Sequence, residues 1–281
     1  MGRVSPPSPR AGRRARSRPA PRRRQAHHRW WQAPRWLYRR LTARRRPVPD
    51  FLIVGAQRCG TTWTYRELTT HPAIRRAWRK EVHFFDVDQT FARGLAWYRA
   101  NFPRLGPGEL TGEATPTYLF VPRAAARLAA AVPRARLVVL LRDPVDRAYS
   151  QYHFARRHGR ERRPFDVALD EQIDDAADAG LGIDSYLARG RYAEQLVRLF
   201  SLFPRDQVLV LRSEDLFQDP AALGPIFAFL GVPPTSSPRR SRSTRAYDPI
   251  PPPLRARLVE YYRPHNARLY DVLGRDLGWA R

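Results

Sequence analysis

Two glycines with four residues between them, Gly55 and Gly60, interrupt the chain between an apolar run and a predicted helix. This is the spacing of loops that hold phosphate groups on backbone N–H groups at a helix N-terminus. Nucleotide hydrolases carry a lysine where this chain has Thr61, and that lysine reaches the outer phosphates. The loop therefore predicts a site for a shorter anionic group, with Arg58 as the nearby cation. Taken alone, the spacing fits an ordinary strand–turn–helix junction equally well.

A second anion-binding pattern follows the clearest buried-strand candidate, residues 135–141. Arg142 stands at the carboxyl end of that strand, where parallel sheets place their ligands, and Ser150 lies about two helical turns further on. A guanidinium grips a phosphate with two parallel N–H bonds, and a serine hydroxyl adds another donor. The pattern predicts a second phosphate site. The alternative is that Arg142 pairs with Asp143 or Asp146 and closes the loop.

A sheet must position these side chains, and from Asp50 onward apolar strand candidates alternate with helical patterns. Predicted strands cover residues 51–56, 108–113, 135–141 and 207–211. Predicted helices cover residues 61–70, 123–131, 145–158, 192–202, 220–230 and 253–273, while residues 160–190 form an acidic, partly loop-like flap and residues 233–253 a long loop. Near-continuous apolar strands separated by helices favour a parallel sheet covered on both faces. The predicted fold class is α/β, a single domain with a central parallel β-sheet flanked by helices.

Composition limits the classes of protein to which the chain can belong. The formal net charge is +25, but residues 1–49 hold 16 arginines and no acid, so the remainder carries a surplus of only nine basic residues. A moderately basic body suits a polyanionic ligand. Cys59 is the only cysteine, which excludes an intrachain disulfide and a cysteine-rich zinc site. Because the sequence has neither an apolar run of membrane-spanning length nor a secretory signal, we expect a cytoplasmic protein.

The N-terminal segment is rich in arginine and differs in charge from the rest of the chain. Residues 1–28 are mainly Arg, Pro, Ser and Ala, which predicts disorder. Residues 29–46 mix Trp with Arg, and a short helix beginning at Pro34 would carry three large side chains on one face, Leu37, Tyr38 and Leu41. Such a segment suits peripheral anchoring on an anionic membrane, or a nucleic-acid arm. The alternative, which we favour, is a solvated tail whose aromatic rings pack on the domain. We predict a tail over residues 1–48 and a domain over residues 49–281.

With both anion motifs in place, the chain resembles the sulfotransferases that use 3′-phosphoadenosine 5′-phosphosulfate (PAPS), in particular the branch that sulfates heparan sulfate and related carbohydrates. The resemblance rests on the Gly55–Thr62 loop, the segment from Arg142 to Ser150, and three further segments: Lys80-Glu-Val-His-Phe-Phe85, Gly112-Glu-Ala-Thr-Pro-Thr-Tyr118 and Gly190-Arg-Tyr192. It extends over residues 49–279 and implies a P-loop-kinase-like sulfotransferase fold, with PAPS as co-substrate and a carbohydrate or glycosylated small molecule as acceptor.

The resemblance also implies roles for individual residues. Glu81 would be the general base, with His83 orienting it and Lys80 near the sulfuryl oxygens, while Arg58 offsets charge on the leaving phosphate. Apart from Arg58, the residues expected to bind the donor are Cys59, Gly60, Thr61, Thr62, Trp63, Arg142, Ser150 and Tyr192, together with a loosely matching late loop of Ser241, Arg242, Ser243, Thr244 and Arg245. From the residues alone, Glu81 could instead pair with an arginine, and His83 could be a packed side chain.

Two departures from the resembled branch concern positive charge. Arg58 stands where a lysine is common, and Ala114 stands where the heparan enzymes carry a lysine, so a cation on the substrate side is missing. The second departure and the loose late loop weigh against heparan itself as the acceptor.

Two other classes of function remain open at this point. A nucleotide-dependent phosphotransferase would explain the glycine loop, but it needs a lysine beside Gly60 and a carboxylate for magnesium. A basic nucleic-acid or membrane-binding module would explain the tail but not two anion motifs at sheet positions. We therefore expect a sulfotransferase with no metal and no specific nucleic-acid partner.

Overall fold

The computed structural model describes residues 33–174, 185–235 and 247–279. Five parallel strands form one sheet in the order β2-β3-β1-β4-β5. Their bounds are Phe51–Gly55 (β1), Ile74–Arg76 (β2), Leu110–Ala114 (β3), Arg136–Leu141 (β4) and Val208–Arg212 (β5). The predicted class, a single α/β domain with a central parallel sheet flanked by helices, is confirmed.

Helices alternate with these strands. Their bounds are Ala33–Leu41 (α1), Thr61–Leu68 (α2), Asp88–Phe91 (α3), Gly94–Arg99 (α4), Pro122–Ala131 (α5), Pro144–Arg157 (α6), Phe165–Asp174 (α7), Tyr192–Phe200 (α8), Ser213–Gln218 (α9), Gly224–Leu230 (α10) and Pro252–Leu273 (α11). Within the described ranges, no helix is both long and apolar enough to cross a membrane.

The structure corrects the predicted elements at several places. β2 has only three residues and two of them are exposed, so it lacks the apolar run by which the other strands are predicted. The region predicted as a partly loop-like flap contains α7 and the 3₁₀ turn Ala188–Gly190. The helix predicted from residue 220 begins as the 3₁₀ turn Pro220–Leu223, and α10 follows it.

The central position of β1 gathers three loops at one edge of the sheet. β1 pairs with β3 on one side and with β4 on the other. Beyond the carboxyl ends the pairing continues, because Ala56 N–H donates to the Leu140 carbonyl at 2.7 Å and Leu119 N–H donates to the Val54 carbonyl at 2.9 Å. Every residue of β1 is buried, which holds this edge rigid under the loops.

The N-terminal segment packs on the domain from residue 33 onward. The Trp36 ring meets the Trp97 ring edge-on with centroids 6.0 Å apart. Arg39 donates to the carbonyls of Ala100 and Phe102, both at 2.7 Å, and the buried Arg46 donates to the same Phe102 carbonyl. The predicted helix from Pro34 is confirmed, and Trp36 packs as the favoured alternative expects. The tail of residues 1–28 lies outside the described residues, and the boundary after residue 48 stays a prediction.

We predict that Gly112→Ala lowers the free energy of unfolding by about 1–3 kcal/mol, since overpacking a rigid core costs that much. Gly112 lies in β3, and a Cβ there would stand 2.5 Å from the ring of the fully buried Phe51. Urea unfolding followed by circular dichroism measures the change. The matched control is Gly224→Ala, because a Cβ at Gly224 meets nothing within 4 Å. We expect the control to be neutral or to stabilise by up to about 1 kcal/mol. Equal stability of the two variants would contradict the prediction.

Candidate active site

The loop between β1 and α2 turns tightly around its two glycines. Gly60 has a φ of 83° and Arg58 a φ of 72°, so both lie in the left-handed region. A Cβ on Gly55 would stand 2.5 Å from Leu119, and one on Gly60 would stand 2.6 Å from the Phe217 ring. Larger residues at either glycine would clash with the packing. Arg58 holds a conformation that costs a non-glycine residue on the order of 1 kcal/mol.

The loop leads directly into the N-terminus of α2. Thr61 is buried, and Thr62 and Trp63 are half-buried. The first N–H groups of a helix have no acceptor inside the helix, and the positive dipole end favours an anion there. Ser213 fixes the loop, because its Oγ donates a hydrogen bond to the Cys59 carbonyl at 2.8 Å. Cys59 is fully buried, and burial raises the pKa of its thiol, so this side chain packs rather than reacts.

The structure brings the two predicted anion motifs into direct contact. Nε of Arg58 donates to Oγ of Ser150 at 3.2 Å, although 92 residues separate them in the chain. Arg142 lies at the end of β4, and its carbonyl accepts from the Tyr192 hydroxyl at 2.9 Å. The glycine loop and the start of α6 therefore border the same space at the carboxyl edge of the sheet.

Positive charge is concentrated around this contact. Burial lowers the pKa of Arg58, and the neighbouring guanidinium groups of Arg157, Arg142 and Arg147 lower it further. Arg147 is fully buried, and Nη2 donates to the Tyr186 carbonyl. Its Nε and Nη1 have no hydrogen-bond partner among the described residues. Crowding guanidinium groups and leaving buried donors unpaired both cost free energy, and an anion bound between them would remove that cost.

The alternative that Arg142 pairs with Asp143 or Asp146 is supported only by one long contact. Asp143 accepts from the Val145 N–H at 2.8 Å and caps α6. Asp146 Oδ2 lies 3.9 Å from Nη2 of Arg142, which is a long ion pair, while its other oxygen accepts from Arg255. Arg142 therefore keeps hydrogen-bonding capacity for a ligand.

A chain of four charged or ionisable side chains lies beside β3. The Lys80 ammonium donates to Oε1 of Glu81, and Nε2 of His83 lies 3.7 Å from Oε2 of the same carboxylate. On its other side, His83 Nδ1 donates to Asp86 Oδ2 at 2.8 Å, and Thr117 Oγ1 donates to that same oxygen. The Glu81 N–H donates to the Ala114 carbonyl at 3.2 Å. Since Ala114 ends β3, the chain of groups lies next to the glycine loop of β1.

The chain of groups fixes protonation states. His83 holds the pKa of the Glu81 carboxyl at about 2, with further help from Lys80. Burial opposes a charge on His83, but Asp86 and Glu81 outweigh it and raise the pKa of His83 to about 9. At neutral pH the site therefore contains a carboxylate held between an imidazolium and an ammonium. His83 is a charged member of the site and not a packed core residue.

Backbone strain marks the same residues. Within the described ranges, the non-glycine residues with positive φ are Arg58 at 72°, Glu81 at 58° and His83 at 52°. Such conformations cluster at functional sites, where the surrounding structure holds them in place. All three are among the site residues that the sequence predicts.

Glu113, the other acidic residue in this region, has a structural environment. It is fully buried, and it accepts hydrogen bonds from the hydroxyls of Tyr98 at 2.5 Å, Thr115 at 2.7 Å and Tyr118 at 3.2 Å. Burial raises the pKa of its carboxyl. A carboxyl with no solvent access and three donors cannot reach an acceptor, whereas the Glu81 carboxylate is 43% exposed.

The remaining predicted site residues have different environments. Tyr192 is buried, and its hydroxyl donates a hydrogen bond to the Arg142 carbonyl. This side chain therefore positions the end of β4 and does not face the solvent. The late loop, residues 241–245, lies outside the described residues. Sequence reasoning missed Asp86, Thr117 and Ser213. Asp86 stands three residues after His83, and that spacing was the available signal for it.

Comparisons with known proteins point to one family. Residues 48–247 match the family model described as a sulfotransferase domain. The human heparan sulfate glucosamine 3-O-sulfotransferase 6 is 33% identical over 277 residues, covering 84% of this chain and 75% of the relative. The human 3-O-sulfotransferase 3B1 is 33% identical over 260 residues, covering 83% of this chain and 65% of the relative. A sulfotransferase structure from Alicyclobacillus acidocaldarius is 33% identical with a TM-score of 0.71, covering 83% of this chain and 99% of that one.

We predict that Asp86→Asn lowers the pKa of His83 from about 9 toward its ordinary value, because it removes the carboxylate that contacts Nδ1. NMR titration of the imidazole measures this directly. His83 has a raised pKa, so its stabilising interactions are complete below about pH 6.5 and are lost as the pH rises through about 9. The wild-type protein should lose stability over that window, and the variant should lose much less.

The control for this experiment is Asp88→Asn, which removes an exposed carboxylate two residues away that pairs with Arg123 and Arg127. It should leave the titration of His83 unchanged. An unaltered His83 pKa in Asp86→Asn would show that this ion pair does not set the charge of the imidazole.

Proposed function

The chain belongs to the sulfotransferase family and is a transferase, and on that premise we propose that it moves a sulfuryl group from PAPS to a hydroxyl or amine of a carbohydrate or glycosylated acceptor. The observation that carries the proposal is the hydrogen bond between Arg58 and Ser150, which joins the two anion motifs. A donor with phosphate groups at its 5′ and 3′ positions needs two anion sites at one sheet edge.

The charges of the site fit such a donor. The N-terminus of α2 and Arg58 would take the 5′-phosphosulfate, and Arg142 with Ser150 would take the 3′-phosphate. The unpaired buried donors of Arg147 are consistent with a nearby anion. A triphosphate is a poorer fit, because Thr61 replaces the lysine that phosphate-binding loops place on outer phosphates.

We assign the role of general base to Glu81, whose carboxylate is 43% exposed. In the proposed reaction, the acceptor oxygen or nitrogen forms a bond to sulfur while the bond from sulfur to the 5′-phosphate oxygen breaks. The acceptor proton passes to a Glu81 carboxylate oxygen, and the bisphosphate leaves with the electron pair of the broken bond. Arg58 and the α2 N-terminus offset the charge that grows on the leaving oxygen, which is the largest contribution expected of such a site.

Lys80 affects the basicity of the Glu81 carboxylate. A carboxyl with a pKa of about 2 is fully ionised but a weak proton acceptor. Because the Lys80 ammonium contacts Glu81 directly, a sulfuryl group that draws Lys80 to itself would remove one of the two cations that lower the pKa of the carboxyl, while His83 still pairs with it. We therefore propose that Lys80 exchanges Glu81 for the sulfuryl oxygens when the donor binds, with His83 held in place by Asp86 to orient the base.

The acceptor class rests on the relatives. Two relatives at 33% identity act, by name, on glucosamine units of heparan sulfate. Ala114, fully buried at the end of β3, brings no positive charge to the side of the site where Glu81 lies. A carbohydrate less acidic than heparan therefore suits this chain, and glycolipids or glycosylated small molecules are alternatives within the same class.

We predict that the protein binds adenosine 3′,5′-bisphosphate much more tightly than ATP, without magnesium. Arg142→Ala should weaken bisphosphate binding about ten- to a hundredfold, since a charge-assisted bond contributes about 1.5–3 kcal/mol. Calorimetry measures both. Arg134→Ala is the control, because Arg134 is exposed and precedes β4 at the opposite edge of the sheet. Equal affinity for ATP, or a magnesium requirement, would refute the donor assignment.

We predict that Glu81→Gln lowers turnover by at least about 10² while bisphosphate affinity stays within a few-fold, because the amide keeps the shape but loses the basic oxygen. Turnover is measured with labelled donor, on the acceptor that a panel of glycosaminoglycan fragments, glycolipids and glycosides identifies. Glu113→Gln is the matched variant, and it should lower stability while the folded fraction keeps its turnover. If Glu81→Gln remains active and a folded Glu113→Gln is inactive, the base has been assigned wrongly.

A further inference from the structure

Helix α1 presents its apolar side to solvent. Leu37, Tyr38 and Leu41 are 58%, 54% and 78% exposed, and at 100° per residue they occupy one side of the helix. Helices on a protein surface ordinarily turn that side inward. This side is therefore uncovered in the described part of the chain, and neighbouring exposed apolar side chains can mark an interaction site.

Specific contacts prevent α1 from turning this side inward. Its opposite side carries Trp36, which packs edge-on against Trp97, and Arg39, which donates to two backbone carbonyls of the loop after α4. The guanidinium of Arg79 also lies over the Trp36 ring at 5.3 Å. Rotating the helix to bury the leucines would break these contacts, so the outward orientation is fixed by the fold.

Exposed arginines surround the apolar side. Arg35 and Arg40 flank it on α1, and Arg44 and Arg45 follow in the adjoining turn. Residues 33–49 contain no acidic side chain, and the preceding 32 residues add ten more arginines, also without an acid. An apolar stripe bordered by basic residues is the pattern of helices that lie in the headgroup region of a bilayer.

From this arrangement we propose that α1 docks the protein on an anionic lipid surface. The three apolar side chains would enter the acyl boundary, and the flanking guanidinium groups would bind lipid phosphates. A second copy of the chain would bring these arginines against the same arginines, and like charges repel. A nucleic acid would engage the arginines but leave both leucines in water. The proposal does not depend on sulfuryl transfer.

The test is co-sedimentation of the full chain with two kinds of vesicle. One kind contains phosphatidylcholine alone, and the other contains equimolar phosphatidylcholine and phosphatidylglycerol. We expect binding to the anionic vesicles only, weakening as salt rises. The triple variant Leu37→Gln, Tyr38→Gln, Leu41→Gln should bind at least about tenfold more weakly, since glutamine preserves helix formation but cannot enter the acyl region.

The matched control changes three exposed apolar residues elsewhere, Val167→Gln, Val197→Gln and Leu202→Gln, which are 43%, 45% and 41% exposed. It should bind vesicles like the wild type, and thermal unfolding should show that both variants are folded. Unchanged binding of the α1 variant would overturn the proposal and assign the attraction to arginines alone. A wild-type dimer that the α1 variant dissociates, without vesicle binding, would assign this side to a second copy. Tighter binding to a duplex oligonucleotide, lost in the α1 variant, would assign it to nucleic acid.

Discussion

The site depends on the position of β1 at the centre of a parallel sheet. Because β1 pairs with both β3 and β4, the loops that leave all three strands are forced to meet at one edge. The pairing of the strands alone therefore brings together residues that are far apart in sequence. The strand itself is wholly buried, so that edge cannot move to relieve the crowding it creates. Strain is held in the loops instead, at Arg58, Glu81 and His83, where φ is positive.

The two sides of β1 differ in how their charged side chains are balanced. On the β4 side, guanidinium groups crowd one another, and the buried Arg147 keeps two donors unpaired within the described ranges. On the β3 side, Lys80, Glu81, His83 and Asp86 alternate in charge and balance one another. The crowded guanidinium groups of the first side leave capacity for an anion from outside, whereas the charged groups of the second side already pair with one another. In the function proposed above, this difference suits a donor bound between the loops after β1 and β4, with proton transfer beside β3.

The sequence predicts the parts of this arrangement that local pattern determines. β1 and β4 are continuous apolar runs, and the glycines and arginines that follow them stand at fixed distances along the chain, so the class of fold and both anion motifs could be predicted. β2 could not, because it has three residues, two of them exposed, and is held by pairing with β3 alone. Thr117, which contacts both His83 and Asp86, was also missed because it comes from another segment of the chain. The orientation of α1 is set by the contacts of Trp36 with Trp97 and of Arg39 with two backbone carbonyls. The periodicity of the sequence predicts the helix but not which of its sides faces the solvent.

Arg58 shows how one departure from a family pattern can follow from geometry. Its Nε donates to Ser150 while its guanidinium carbon lies 4.9 Å from the centroid of the Phe154 ring, both on α6. An ammonium is a point charge on a flexible stem, whereas a guanidinium is planar and presents several donors in a fixed fork. The planar guanidinium lies over the Phe154 ring and directs Nε at Ser150, and its fork has further N–H donors. Arg58 thus connects the glycine loop to α6, which joins the two segments that the sequence predicts to bind anions.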